Sequence, residues 1–139
     1  VQVIMTSPEQ TFSRGQLAKH TAVKSETIRY YERCGLLHAP ARSAGGHRIY
    51  TQDDASRLIF IRRCRELGFT LDEIGSLVEL AGDENMNCSQ VRELTAEHLL
   101  DVQGKIKDLR KMERMLKSMV KQCDENASPN CPIIETLSN

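Results

Sequence analysis

The sequence lacks the long apolar runs that membrane spans and secretory signals require. No apolar stretch approaches the roughly 18 residues of a spanning helix. The opening segment VQVIMTSPEQ also lacks the charged-then-apolar order of a signal peptide. The formal net charge is zero, so the total charge points to no particular partner. We therefore expect a cytoplasmic protein with no membrane partner.

The sequence also lacks the cysteine patterns of a disulfide framework or a redox enzyme. Its five cysteines are an odd number, and no two of them form a Cys-x-x-Cys pair. In the reducing cytosol such cysteines are metal ligands or buried small hydrophobes before they are disulfides. We expect that the protein is not an enzyme, with a thiol enzyme or metal carrier as a minor alternative.

Charge is distributed unevenly along the chain. Residues 14–65 contain eleven lysines and arginines against four acidic residues, whereas residues 66–139 contain eight against fourteen. A basic front half predicts contact with a polyanion, and an acidic rear half predicts a different task. A coiled-coil interaction protein whose basic front is incidental remains a further alternative.

The basic half has the pattern of a helix-turn-helix followed by a two-stranded wing. Ser13 and Gln16 fit a capping box for a helix that ends near His20. A turn follows at residues 21–23, and the stretch KSETIRYYERCG predicts a second helix from Lys24. The Gly-Gly turn within RSAGGHRIY then predicts two short paired strands.

Two more helices are predicted before a polar loop at residues 81–87. Thr51 with Asp54 begins the first, and Thr70 with Glu73 forms a capping box for the second. We expect a core that includes Ile28, Tyr31, Leu36 and Leu37, with Cys34 and Cys64 packed in the same half.

A single long helix is predicted from about Cys88 to Gln122, a stretch without proline and with one glycine. Its apolar residues recur at spacings of three and four, as in a coiled-coil seam: Leu99, Val102, Ile106, Leu109, Leu116 and Val120. An isolated helix with one apolar edge would be poorly buried, so it should pair with a second copy of itself. We expect His98 to be a seam or surface residue.

Three cysteines bracket this helix: Cys88, Cys123 and Cys131. The first two lie 35 positions apart, about 52 Å along a straight helix, so one chain cannot bring them to one ion. If two helices pair antiparallel, the partner's Cys88 meets Cys123 and Cys131. Thiolates select soft metals, and three of them without a fourth protein ligand suit Hg(II) or Pb(II) better than tetrahedral zinc.

Taken together, these stretches resemble the MerR family of metal-responsive transcriptional regulators. The likeness covers residues 12–137 and includes TIRYYERCGLL at 27–37, GGHRIY at 45–50, IRRCRELGFTLDEI at 61–74 and the three bracketing cysteines. It implies a mainly α fold with a winged helix-turn-helix DNA-binding domain and connector helices at 12–81. It also implies, at 82–139, a long antiparallel dimerisation helix with a C-terminal metal-binding loop.

The resemblance implies a site and partners as well. The metal ligands would be Cys88, Cys123 and Cys131. The DNA contacts would be Lys19, Lys24, Ser25, Thr27, Arg29, Tyr30, Arg42, His47 and Arg48. A homodimer would bind double-stranded operator DNA, repress without metal, and on binding metal distort the promoter so that RNA polymerase engages it.

Positions that separate the branches of the family favour mercury. Copper sensors carry serine where this chain has Cys88, and zinc sensors carry a second cysteine where it has Asp124. Only eight residues follow Cys131, too few to enclose an organic drug. CPIIETL at 131–137 looks most like the mercury branch, so we expect Hg(II) as inducer, with Pb(II), Cd(II) or Zn(II) as alternatives.

Overall fold

The computed structural model describes residues 10–85, 87–125 and 130–139, and the chain divides into two compact units, Val1–Cys88 and Ser89–Asn139. The described elements are, in chain order, α1 (Arg14–Thr21), α2 (Ser25–Arg33), β1 (Ala41–Arg42), β2 (Arg48–Ile49), α3 (Gln52–Glu66), α4 (Leu71–Gly82), α5 (Cys88–Glu125) and α6 (Pro132–Ser138). The fold is therefore mainly α, as the sequence predicts.

Three helices of the first unit begin with a capping box at the predicted place. Ser13 caps α1, Thr51 caps α3 and Thr70 caps α4, and in each case the side chain three residues on bonds back to the cap's backbone N–H. These reciprocal bonds satisfy amides that a helix start leaves without partners. Local sequence alone therefore sets where these helices begin. The polar loop predicted at 81–87 begins two residues later, because α4 continues to Gly82.

The turn between α1 and α2 lies one residue later than predicted. Ala22 follows α1 in the left-handed region, with φ of 57°, and Lys24 is the extended residue before α2. A left-handed residue reverses the chain after the helix, which allows two helices to meet across three residues. Ala22 is the only described residue other than glycine with positive φ.

The core of the first unit is assembled from all four of its helices. Completely buried side chains come from each one: Leu17 in α1, Ile28 in α2, Leu58 and Ile61 in α3, and Ile74 in α4. The predicted core residues Tyr31, Leu36 and Leu37 are buried as well. The prediction was wrong for Cys34, which is exposed because it stands at the C-cap of α2, beyond the buried face.

The wing is a short antiparallel ladder closed by a tight turn. Ala41 pairs with Ile49 and Arg42 with Arg48. The Ser43 amide donates to the His47 carbonyl at 2.7 Å, and Gly46 takes φ of 80° in the turn. After β2, Tyr50 forms two 2.8 Å backbone hydrogen bonds with Phe12, so the wing is attached to the segment that enters α1.

The second unit is dominated by α5, a helix of 38 residues. It extends three residues beyond the predicted end. The short helix α6, which starts with Pro132 and has Cys131 at its N-cap, was not predicted. His98, expected at a seam or surface position, is buried in the single chain, so the surface position is wrong and the seam position stays a prediction. Among the described helices, none has both the length and the apolarity that crossing a membrane requires.

Much of the predicted seam of α5 is exposed in the single chain. The exposed apolar residues of α5 are Leu99, Leu100, Ile106, Leu109, Met112, Met115, Leu116 and Val120. Apart from Leu100, which lies off the seam, these residues form an apolar stripe, and an exposed stripe of this size marks an interaction surface.

Ala22 provides a test of how the helix-turn-helix is set. Because a left-handed backbone costs an alanine about 1–2 kcal/mol and glycine nothing, Ala22→Gly should stabilise the first unit by about 0.5–1 kcal/mol after glycine's entropy is allowed for. Urea unfolding followed by circular dichroism measures this. Gly35→Ala is the reciprocal control, because Gly35 has φ of 80° and open space around its Cα. It should destabilise by about 1 kcal/mol, and equal effects of one sign would contradict the account.

Candidate nucleic-acid interface and metal ligands

Helix α2 turns two predicted DNA contacts outward. Ile28 and Tyr31 are buried against the core, whereas Arg29 is exposed and Tyr30 is 48% exposed. A 3.6-residue period dictates this division, since residues one or two positions apart face different ways. Of the other contacts predicted on these helices, Lys19 and Lys24 are exposed, and Ser25 and Thr27 are half-buried.

The wing presents its cations on the same unit. Arg42 and His47 are exposed, and the Arg42 guanidinium donates through Nη1 to the Gly46 carbonyl at 2.9 Å. This bond holds a long, flexible side chain across the wing turn. An arginine fixed in this way loses less freedom when it binds an anion than a free one would.

A cavity of about 390 Å³ lies where α1, α2 and the wing meet. Its lining residues are Ser13, Arg14, Arg29, Arg42, Gly46, His47 and Arg48. The structure therefore brings together four of the nine predicted DNA contacts. Lys19 instead lines a separate depression with His20, and Lys24, Ser25 and Thr27 line neither.

One acidic side chain connects these basic elements. The Glu32 carboxylate, on α2, accepts a 2.6 Å hydrogen bond from Arg48 Nη1 on β2, and its other oxygen accepts from the Tyr50 hydroxyl. Arg14 Nε in turn donates to the Tyr50 oxygen at 3.4 Å. Glu32 is only 11% exposed. Arg48 is thus already ion-paired within the protein, and this ion pair was not predicted from the sequence.

The Cys34 thiol influences one of the predicted DNA contacts. Its hydrogen bond with the Tyr30 side chain raises the pKa of the Tyr30 phenol above the ordinary value. A raised pKa favours the neutral phenol, which keeps a proton to donate. Cys64, in contrast, is buried in α3, and burial raises the pKa of its thiol because the thiolate would be desolvated.

Comparison with known proteins agrees with this arrangement. Residues 12–81 match the family described as "MerR HTH family regulatory protein", and residues 55–119 match "MerR, DNA binding". The chain is 45% identical over 127 residues to the mercuric resistance operon regulatory protein of Bacillus cereus, across 91% of this chain and 96% of that one. The chain belongs to the MerR family of metal-responsive transcriptional regulators.

Two solved MerR-family structures are similar along almost the whole chain. One is the regulator PbrR691 from Ralstonia metallidurans CH34 in complex with lead(II), with TM-score 0.77, 40% identity, and 91% and 98% of the two chains covered. The other is MerR from Bacillus megaterium MB1 in complex with mercury(II), with TM-score 0.71, 43% identity, and 92% and 100% covered. The prediction that the chain is a MerR-family regulator is confirmed.

The three cysteines predicted as metal ligands occupy helix ends. Cys88 is the first residue of α5, Cys123 lies in its last turn, and Cys131 caps α6. All three are free and exposed. Within the described part of the chain, no group of three or more metal-ligating side chains converges. Part of the predicted C-terminal metal-binding loop, residues 126–129, lies outside the described residues.

Sequence reasoning missed Arg14 and Glu32 in this MerR-type domain. The signal for Glu32 was present, because it is one of only four acidic residues in the basic stretch 14–65. An acid close to DNA-binding cations weakens attraction to phosphate, so its presence there indicates a structural task. Arg14 carried no comparable signal, since the first residue of an exposed helix is often basic or acidic without consequence.

Removing Glu32 tests that structural task. Glu32→Ala leaves the Tyr50 hydroxyl and the Arg48 guanidinium without their carboxylate, and should destabilise the first unit by about 1–3 kcal/mol. DNA binding should weaken even though a negative charge has been removed, because the wing loses its position. Thermal unfolding and fluorescence anisotropy with duplex DNA measure the two effects.

Glu26→Ala is the matched control for this substitution. Glu26 is an exposed acid in the first turn of the same helix, so its loss should cost less than about 1 kcal/mol. It should leave DNA binding unchanged or slightly tighter. A Glu32→Ala protein that binds DNA more tightly at unchanged stability would show that Glu32 only repels phosphate.

Proposed function

We propose that the protein is a homodimeric, operator-bound sensor of Hg(II) that represses a mercury-resistance promoter without metal and activates it with metal. The observation that carries this proposal is the placement of three exposed thiols at the two ends of α5 and the start of α6, on a helix with an exposed apolar stripe. Pb(II), Cd(II) and Zn(II) are the alternative inducers. In this proposal residues 12–81 bind DNA, and residues 82–139 dimerise and bind metal.

The apolar stripe of α5 supports dimerisation through a second copy. Leu109, Met112, Leu116 and Val120 line a groove of about 600 Å³ along the helix, edged by Glu113 and Lys117. Fully burying one such side chain contributes about 1.5–3 kcal/mol, so several residues along the stripe supply a stable interface. Charged edges beside an apolar centre are typical of a coiled-coil contact.

An antiparallel pair accounts for the positions of the thiols. Cys88 and Cys123 are separated by almost the whole length of α5, so they can bind the same ion only if they belong to two different chains. In an antiparallel pair the partner's Cys88 would join Cys123 and Cys131. The dimer would then have two three-thiolate sites, one at each end.

The donor chemistry supports a soft metal. Thiolate sulfur prefers Hg(II), Pb(II) or Cd(II) over hard ions, and three thiolates leave zinc without a closed tetrahedron. The similar proteins named for mercury are 45% and 43% identical to this chain, and the one bound to lead is 40% identical. The margin is small, and mercury is proposed on softness together with the CPIIETL segment.

Regulation would follow from joining the ends of two long helices. A metal ion bound by the three thiolates would join the last turn of α5 in one chain to the first residue of α5 in the partner chain. In that partner chain, the first residue of α5 follows directly on the loop from α4, which belongs to the DNA-binding unit. Metal binding could thereby favour one arrangement of the two DNA-binding units over another. A changed arrangement would distort the operator so that RNA polymerase engages the promoter.

The dimer can be tested on the stripe itself. Leu116→Lys places a charge in the proposed seam, and twofold symmetry counts it twice, so the dimer dissociation constant should rise roughly 100-fold or more. Sedimentation equilibrium measures the change. Leu100→Lys is the control, because Leu100 is equally exposed on the same helix but lies off the seam. Equal effects of the two substitutions would contradict the proposed seam.

The shared site can be tested by mixing two defective proteins. Cys88→Ser lacks one ligand at both ends, and the double variant Cys123→Ser with Cys131→Ser lacks the other two. A heterodimer of these would contain one complete three-thiolate site and one empty end. Mixed, unfolded and refolded together under reducing conditions, they should regain Hg(II) affinity of the wild-type level at about one quarter of the wild-type sites, the statistical share for random pairing of two chains.

Competition with a small dithiol measures the recovered Hg(II) affinity, and the sulfur-to-mercury absorbance measures the number of recovered sites. Each variant refolded alone should show only weaker binding. If Cys88→Ser alone binds Hg(II) as tightly as the wild type, the cross-subunit site is wrong. If the wild type prefers Pb(II) or Cd(II) in a promoter-reporter assay, the metal assignment fails while the dimeric site stands.

A further inference from the structure

We propose that the cavity between α1, α2 and the wing binds a single phosphate of the DNA backbone, and that Arg14 is one of its ligands. This inference rests on the proposed DNA binding and adds to it a specific chemical group and a residue outside the expected contacts. The cavity is lined by cations from three elements that are far apart in sequence.

The charge balance of the cavity favours an anion. Its lining contains four arginines and one histidine but no acidic residue. Arg48 is neutralised by Glu32. Within the described chain, no ion pair involves Arg14, Arg29 or Arg42. Three guanidinium charges therefore converge without a counterion from the protein, which concentrates positive potential on one spot.

Arg14 is held in a way that leaves its binding end available. Its Nε donates to the Tyr50 hydroxyl, and none of the described hydrogen bonds uses its two terminal nitrogens. A guanidinium has five donors in a planar fork that matches two phosphate oxygens. Arg14 also begins α1, whose first turn has no acidic residue, so the positive end of the helix dipole adds to the attraction.

The surroundings make the position of Arg14 reproducible. Tyr50 is 1% exposed, its hydroxyl is fixed by Glu32, and its backbone is bonded to Phe12. Arg42 is fixed from the other side by the Gly46 carbonyl. Because these supports belong to the protein, the cavity exists before DNA binds and the cost of ordering its side chains is already met.

The proposed ligand is a phosphate and not a base edge. Arginines converging in a cavity from several elements recognise a compact anion, and every nucleotide supplies the same one. Arg14 should therefore contribute equally to operator and unrelated DNA. Its signature is the release of about one counterion for each bound subunit, which appears in the salt dependence of binding.

The test compares Arg14→Gln with the wild type on two duplexes: one selected by the wild-type protein from a random-sequence pool, and one of unrelated sequence. The plot of log affinity against log salt should become shallower by about 1.8 on both duplexes, because each of the two subunits of the bound dimer loses one phosphate contact worth about 0.9, and the affinity ratio of the duplexes should be unchanged. Arg14→Lys should restore most of the slope because it keeps a point charge. Arg110→Gln, an exposed arginine of α5, is the matched control and should leave the slope as it is.

A second measurement needs no change to the protein. Methylphosphonate groups, which lack the phosphate charge, are placed one at a time along the selected duplex. One position in each half-site should weaken binding more for the wild type than for Arg14→Gln, because Arg29 and Arg42 remain in the variant. Coupling of this kind identifies a specific phosphate partner, which a general loss of stability cannot imitate.

The outcomes separate this inference from the proposed function. If Arg14→Gln keeps the full salt slope, or no methylphosphonate position couples to it, Arg14 is not a phosphate ligand although the regulator still binds DNA. If the wild type binds neither duplex in a salt-dependent way, DNA binding fails, and the phosphate site fails with it. Circular dichroism of Arg14→Gln and Arg14→Lys ensures that folded proteins are compared.

Discussion

The ion pair and the hydrogen bond formed by the Glu32 carboxylate are the interactions on which the candidate DNA-binding surface depends. They join α2 to the wing through Arg48 and Tyr50, and Tyr50 joins both to α1. The wing's own ladder has only two residues in each strand, which is too little to hold a hairpin in place in water. Side-chain bonds from outside the ladder must therefore supply its orientation.

That arrangement has an electrostatic cost that the fold accepts. An acid among arginines lowers the local attraction for phosphate, but Glu32 is largely shielded from solvent and forms an ion pair with Arg48. Arg14 and Arg42 have no ion-pair partner in the described chain, and hydrogen bonds to the Tyr50 hydroxyl and the Gly46 carbonyl hold them in position. DNA affinity depends both on the number of cations and on how well they are preorganised. Here the charge of one arginine, Arg48, is neutralised, and the position of the wing is fixed in return.

The second unit is built on a different principle. Nothing in the exposed stripe of α5 is stabilised within the single chain, and a helix of this length in water derives most of its stability from packing of its apolar face. The first unit obtains its stability from a core of four helices. The second needs another chain, so that in the proposed dimer the sensing half and the DNA-binding half are stabilised by different contacts.

Local features of this fold were predictable from the sequence, and features decided by tertiary contact were not. Capping boxes at Ser13, Thr51 and Thr70 depend on residues three positions apart, and so they could be recognised without a structure. The same is true of buried Ile28 and exposed Arg29. Cys34 escaped prediction because its apolar neighbours in the sequence suggested packing, whereas it stands at the C-cap of α2. His98 is buried although most of its neighbours along α5 are exposed, which the local sequence does not indicate.

In the candidate site, too, residues within local motifs were predictable and those placed by tertiary contacts were not. Arg29, Arg42 and His47 could be selected because their motifs are recognisable, whereas the contribution of Arg14 becomes visible only when the segment before α1 pairs with Tyr50. The three cysteines could be selected because Cys88 and Cys123 lie at the two ends of one helix and Cys131 lies shortly beyond it, and the distance along a helix follows from residue numbers alone. Their mutual geometry could not, because in the proposed site it belongs to two chains.

A metal site shared between chains links metal affinity to assembly. If the ligand set is complete only in the dimer, metal binds the dimer in preference to the separated chains, and by mass action it must also stabilise the dimer. The same linkage makes a monomer a poor competitor for the metal, since two thiols near one end of α5 bind less well than three. Sensing would then be restricted to molecules that present two DNA-binding units together, which is the form able to act on an operator of two half-sites.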